Sequence, residues 1–150
     1  MKDCNNNRIM VSACLLGENC KYSGGNNLSE ELVRSLKDME VIPVCPEVMG
    51  GLPIPRKPGE IVDGVVRNED GTLVDAEYRR GAELALELAK NKDIKVAVLQ
   101  SRSPSCGVGI IYDGTFSGVL IEGMGVAAGL LAENGIEVHD VKEWLEKDRK

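Results

Sequence analysis

The sequence predicts an α/β domain, Rossmann-like and three-layered, with a mainly parallel sheet and small β-hairpin insertions. Short β-branched apolar runs recur along the 150 residues, and amphipathic stretches of helical period separate them. Asp-Gly dipeptides mark tight turns outside that alternation.

Residues 8–16 (RIMVSACLL) are short, apolar and stopped by Gly17, the pattern of a buried strand. Ser29 is placed to cap a helix through about Asp38, with Leu32, Val33 and Leu36 on its inner face. Residues 41–45 (VIPVC) predict a second strand at a sheet edge, because Pro43 removes a backbone donor. Residues 46–60, rich in Pro and Gly, predict a stiff irregular loop. Residues 65–74 predict a hairpin turning at Asp70-Gly71. A helix follows over 77–90, with Tyr78, Ala82, Ala85 and Ala89 on one face and Arg80, Glu83 and Glu87 on another. Residues 95–99 are a third strand and 100–107 (QSRSPSCG) a turn. A second hairpin over 110–120 turns at Asp113-Gly114, and a helix over 126–133 stops at Asn134-Gly135. Residues 136–139 predict a last strand, and 141–147 a last helix carrying Trp144 and Leu145 inward.

The length and the lack of a long linker predict one domain over 1–150. A net charge of −6 and few aromatics predict no nucleic-acid partner, since a phosphate backbone demands the opposite sign. The N-terminus lacks a signal-peptide core and no apolar run is long enough for a membrane span, so a cytoplasmic protein with no membrane partner is expected. Oligomeric state leaves no mark on the sequence. Reducing conditions then leave burial, metal binding or redox chemistry for the five cysteines.

Three of them share a place in the pattern. Cys14 lies late in the first apolar run, Cys45 closes the second, and Cys106 follows the third by a short loop. In a parallel sheet with helical crossovers, strand C-termini share one edge, where ligand crevices form. Cysteines 31 and 61 positions apart can converge there. Pro46, Glu47, Gly50-Gly51 and the Pro53/Pro55 pair shape the loop after Cys45, while Ser101, Ser103, Ser105 and Arg102 crowd the turn before Cys106. Hydroxyls and positive charge near sulfur stabilise thiolate ligands. A structural zinc site is the competing metal reading, but it favours close C-x-x-C pairs, which are absent. Three separated thiolates suit an iron–sulfur cluster with one open iron better.

SACLLGENCKYSGG, VCPEVMGGLPIPRKPGE and QSRSPSCG, with GTLVDAEYRRGA and GMGVAAGLLAENGIEV downstream, resemble the signature blocks of a domain-of-unknown-function family that includes the iron–sulfur-dependent thiouracil desulfidases. The resemblance spans nearly the whole chain. It implies a 4Fe-4S cluster held by Cys14, Cys45 and Cys106, whose fourth iron takes sulfur from a small-molecule substrate. It also implies that Glu47 is the acid–base carboxylate and that Ser101, with Ser103 beside it, orients the substrate. Arg56 and Arg102 are candidates for binding an anionic or carbonyl group, against pairing with Glu47 or Glu60. Many relatives have Lys where this chain has Gln100, and Asp and Thr where it has Leu73 and Asp75.

Other residues have plainer readings. Cys20 is a possible fourth ligand or sulfur-handling thiol, or a cover for the site, and Cys4 is read as non-functional. His139 is read as structural in preference to a general base. GMGVAAG at 123–129 has the wrong spacing for a dinucleotide loop and is read as helix packing. The expected function is a desulfidase of a thiolated nucleobase or related thioamide. The alternative is a non-catalytic iron–sulfur, sulfur-carrying or redox-sensing protein, and a cluster-free cysteine hydrolase lacks a His partner.

Overall fold

A computed structural model describes residues 7–148. Strand β1 (Arg8–Ser12) pairs in parallel with β2 (Glu40–Val44) on one side and β5 (Val96–Leu99) on the other. Beyond β5 lies β8 (Glu137–Asp140), so the sheet order is β2-β1-β5-β8, all parallel. Pro43 does sit on an edge strand. Side chains alternate across the sheet as a period of two requires. Ile9, Val11 and Val98 meet Leu32, Leu36 and Val141 in one apolar layer, while Met10, Ala97 and Leu99 meet Ala85, Ala89 and Leu131 in the other.

The first layer is closed by α1 (Glu30–Ser35) and α5 (Val141–Asp148), the second by α3 (Asp75–Asn91) and α4 (Val126–Glu133). Ser29 caps α1 by accepting from Leu32 N at 3.2 Å. Val33 does not face inward as expected: it is 43 % exposed, because a helix of six residues turns only Leu32 and the following Leu36 onto the sheet. Tyr78, Ala82, Ala85 and Ala89 are buried along α3 as its periodicity predicts. Trp144 and Leu145 pack partly buried under α5. Among the described residues no helix is long and apolar enough to cross a membrane.

Four further expectations change. The first strand ends at Ser12, and Ala13–Leu16 form a 3₁₀ turn. The registered neighbours of β1 run out at Val44 and Val98, so the remaining apolar residues have no ladder to join and bury as a turn. The Pro/Gly loop is not wholly irregular, because Pro46–Met49 form a short helix, α2, with Pro46 at its favoured first position. The first hairpin is β3 (Gly59–Val62) with β4 (Val65–Asn68), turning at Asp63-Gly64 and not at Asp70-Gly71. Asp63 (φ 51°) and Gly64 (φ 84°) both take the left-handed backbone that a type I′ turn requires. At 70–71 only Gly71 does so, and pairing there shrinks to one bridge between Arg67 and Leu73. Finally, β6 (Ile110–Tyr112) and β7 (Leu120–Glu122) are joined by a wide loop, 113–119, in place of a tight turn.

Helix α2 owes its position to two glycines. A Cβ on Gly50 would lie 1.9 Å from Glu77 O, and one on Gly81 would lie 1.8 Å from Pro46 O. The backbones of α2 and α3 therefore touch where neither chain has a side chain. Alanine is the better helix former by about 1 kcal/mol, yet Gly81→Ala should lower stability by about 1–3 kcal/mol through overpacking. Thermal unfolding followed by circular dichroism checks this. Glu83→Ala, on the exposed face of α3, should stay within about 0.5 kcal/mol of the parent.

Candidate active site

The chain leaves β1 for β2 on one side and later returns to β5 on the other, which places a switch point at the C-terminal ends of these strands. A cavity of about 550 Å³ opens there, lined by Cys14, Cys20, Cys45 and Cys106 together with Glu47 and Ser101. All four cysteines are free thiols.

Each thiol is placed by local backbone chemistry. Cys14 sits in the 3₁₀ turn stopped by Gly17 at φ 97°, where a side chain would be strained. Its carbonyl accepts from Asn27 N at 2.9 Å, and Asn27 Nδ2 donates to its Sγ at 3.4 Å. Cys45 is the residue just before α2, and its Sγ lies 3.7 Å from Cys20 O and 3.9 Å from Glu47 Oε1. Cys106 sits in the serine turn, where Ser103 Oγ accepts from both Ser105 N and Cys106 N at 3.0 Å. The N-terminus of α4 completes that turn: Val126 N donates to Pro104 O at 2.8 Å and Ala127 N to Ser105 O at 2.9 Å. The GMGVAAG segment thus serves packing, as expected. A Cβ on Gly125 would lie 2.5 Å from Ser105 O.

Burial, reinforced by Glu47, pushes the Cys14, Cys45 and Cys106 thiols above the ordinary range, and neighbouring thiols add to the rise for Cys14 and Cys106; Cys20 is pushed up to about 12, by burial and then by Cys45. Burial also raises the Glu47 carboxyl, opposed by the Arg56 guanidinium 3.9 Å away. Thiolates crowded beside a carboxylate need a cationic centre among them. Among the described residues no three His, Cys, Asp or Glu side chains are drawn together around one point. The thiols line a void instead. Ser101 Oγ is buried with no protein partner, an unspent hydrogen-bonding group on the same wall.

The remaining candidates separate. Arg56 Nη2 donates to Cys20 O at 3.0 Å and its Nη1 to Pro53 O at 3.2 Å, so it braces Glu47 and the loops around it. Arg102 is exposed on the rim, its guanidinium 5.9 Å from the centre of the Tyr112 ring. His139 is buried on β8, held by Glu137 and Glu143, and does not line the cavity. Asp75 anchors α3 by accepting from Val66 N at 2.9 Å and pairing with Arg79, while Gln100 lines the cavity. Cys4 lies outside the described residues.

Ser12 and Tyr78 are among the cavity residues that escaped the sequence reading. Ser12, buried at the end of β1, accepts from Gln100 N at 2.9 Å and opposes the rise of the Cys106 thiol. Its signal was a lone polar residue inside an apolar run. Tyr78 belongs to the buried face of α3, yet it also lines the cavity together with Arg56. Helical period alone cannot separate core from cavity wall.

Fold and site first define a class: a Rossmann-like protein with buried thiols gathered on a cavity at the carboxyl edge of its sheet, suited to sulfur or metal–thiolate chemistry. The family model described as 2-thiouracil desulfurase matches residues 9–143, and the chain belongs to that family. The uncharacterized protein YbbK of Bacillus subtilis (strain 168) is 39 % identical over 140 residues, 87 % of this chain and 93 % of its own. A solved 4Fe-4S-dependent thiouracil desulfidase, TudS, matches with a TM-score of 0.87 at 43 % identity, covering 93 % of each chain. Family and structural relative mark this chain as an enzyme that removes sulfur from a small molecule.

Ser103→Ala would strip the acceptor from two backbone N–H groups of the Cys106 turn, costing about 1–3 kcal/mol. Cys106, only 4 % exposed, should then be alkylated by iodoacetamide several-fold faster than in the parent protein, as read by mass spectrometry of the intact chain.

Proposed function

We propose that this protein is a 4Fe-4S-dependent desulfidase that replaces sulfur by oxygen in a thiolated nucleobase, thiouracil-like, or in a related thioamide, releasing sulfide. The reading is carried by one observation: Cys14, Cys45 and Cys106, from three separate strand ends, line one cavity together with the buried carboxylate Glu47. The donor set fits the cluster of the structural relative, with these three thiols as ligands. Held by Cys14, Cys45 and Cys106, the cluster would supply Lewis-acid chemistry toward a thione sulfur.

The other roles belong to the chain's own side chains. Glu47 takes a proton from water as the water oxygen bonds to the thione carbon, and returns it as the C–S bond breaks. Thioamide and water thus yield amide and hydrogen sulfide, with no change in oxidation state and no need for a reductant. Arg56 counters the cost of burying the Glu47 charge. Ser103 hydrogen-bonds Glu47 and fixes the Cys106 turn, so it acts by positioning. The uncommitted Ser101 hydroxyl orients the ring amide. Arg102, on the rim, meets polar substituents of the substrate.

The test is purification without oxygen, assay of iron and acid-labile sulfide, and measurement of sulfide release from 2-thiouracil and 4-thiouracil. Iron and sulfide near four each per chain are expected, with turnover of at least one thiouracil. No iron after reconstitution would overturn the cluster assignment; a loaded protein without sulfide release would favour a carrier or sensor. Glu47→Gln should keep the iron and lose about 10²–10⁴-fold in rate, whereas Cys45→Ser should lose both iron and activity.

A further inference from the structure

The chain holds three tyrosines, one phenylalanine and one tryptophan. All but the tryptophan line the cavity: Tyr22, Tyr78, Tyr112 and Phe116. Trp144 packs in the apolar layer beneath α5, its ring N–H donating to Ser35 Oγ at 3.4 Å. The core is otherwise built from Leu, Ile, Val, Met and Ala, with Tyr78 its sole buried aromatic among the described residues. Aromatic rings are ordinarily core material, because they bury large areas. Here they are gathered around the one space where a ligand would sit.

Three of these rings carry a hydroxyl, and two stand beside a cation: Tyr112 has the Arg102 guanidinium near its face, and Tyr22 has Lys21 Nζ 6.0 Å from its centre. Phe116 has no polar atom on its side chain. It stands on the wide loop between β6 and β7 with φ at +58°, a left-handed backbone that a bulky residue adopts only when its surroundings impose it.

The imposing group is Glu60. This β3 residue is only 9 % exposed, and its Oε1 accepts from Gly114 N at 2.9 Å and Phe116 N at 3.1 Å. Gly114 presses on β3 as well, since a Cβ there would lie 2.6 Å from Ile61 O. A buried carboxylate thus clamps one hairpin onto another, and the clamped residue is the phenylalanine on the cavity wall.

We propose that Phe116, held by Glu60, is the specificity-determining residue that selects flat, conjugated rings by stacking. The proposal rests on the desulfidase reading only for the kind of ring, a thiolated pyrimidine or its oxygen product. Glu60 is a positioning residue and Phe116 the residue in contact. A ring saturated at its 5,6 bond is puckered and loses this contact, whereas hydrogen bonding to its amide edge is retained.

The test is calorimetric binding of uracil and 5,6-dihydrouracil to the full chain reconstituted with iron and sulfide, alongside sulfide release from 2-thiouracil. Uracil should bind at least tenfold more tightly. Phe116→Leu should lose about tenfold in uracil affinity with dihydrouracil unmoved, and Phe116→Tyr should keep the preference. Glu60→Ala should raise KM for 2-thiouracil by a similar factor, a loss borne by binding and not by kcat; Glu60→Gln, whose amide oxygen still accepts, should restore it. Equal affinities in the parent protein, no binding of either ring, or an unchanged ratio in Phe116→Leu would each overturn the proposal, and the first two need no variant. Selective uracil binding without sulfide release would remove the desulfidase reading and leave this one standing. Sulfide release with no preference for the flat ring would do the reverse.

Discussion

Parallel pairing of β1 between β2 and β5 is the constraint on which the site depends. It brings three strand ends that are distant in sequence to one edge, and the chain must leave that edge by turns. Those turns carry Cys14, Cys45 and Cys106. The hydrogen bond from Gln100 N to Ser12 Oγ ties two of these exits together where the ladder between β1 and β5 has ended. A sheet with the same strands in another order would scatter the thiols.

Convergence creates an electrostatic conflict that the fold does not resolve by itself. Thiols and a carboxyl share a buried space, and burial opposes the ionised form of each. Such a cluster is a poor way to fill a core and a suitable way to prepare one for a cationic guest. The glycine contact between α2 and α3 belongs to the same design. It lets α2 approach closely, so that Glu47, one residue after Pro46, is held beside Cys45.

Much of this was legible in the sequence, and the failures have physical causes. Alternating apolar runs and helical periods identified the parallel sheet and the large helix, because burial on both faces leaves a strong pattern. Glu47 and the serine turn stood out because they adjoin Cys45 and Cys106, and their roles came from the family resemblance. The hairpin at 59–68 was missed because Asp63-Gly64 and Asp70-Gly71 look alike locally; which dipeptide turns a hairpin is decided by the pairing around it. The strand over 8–16 was drawn too long because apolar character does not report where partner strands end. Ser12, Tyr78 and Glu60 were passed over because their roles lie among groups 94, 22 and 54 positions away, at Cys106, Arg56 and Gly114.

The two hairpins are hydrogen-bonded sheets of their own, separate from the four parallel strands. The cavity wall therefore has two kinds of support. The thiols belong to the sheet edge, whereas one wall of the cavity is an appended hairpin that Glu60 and the close approach of Gly114 to Ile61 fasten to its neighbour. Such an appendage can change length or residue type without disturbing the strands that assemble the reactive groups. The same scaffold can then be refitted for bulkier, smaller or non-aromatic thiocarbonyl compounds by exchanging a loop, much as a tool keeps its handle while its jaw is replaced.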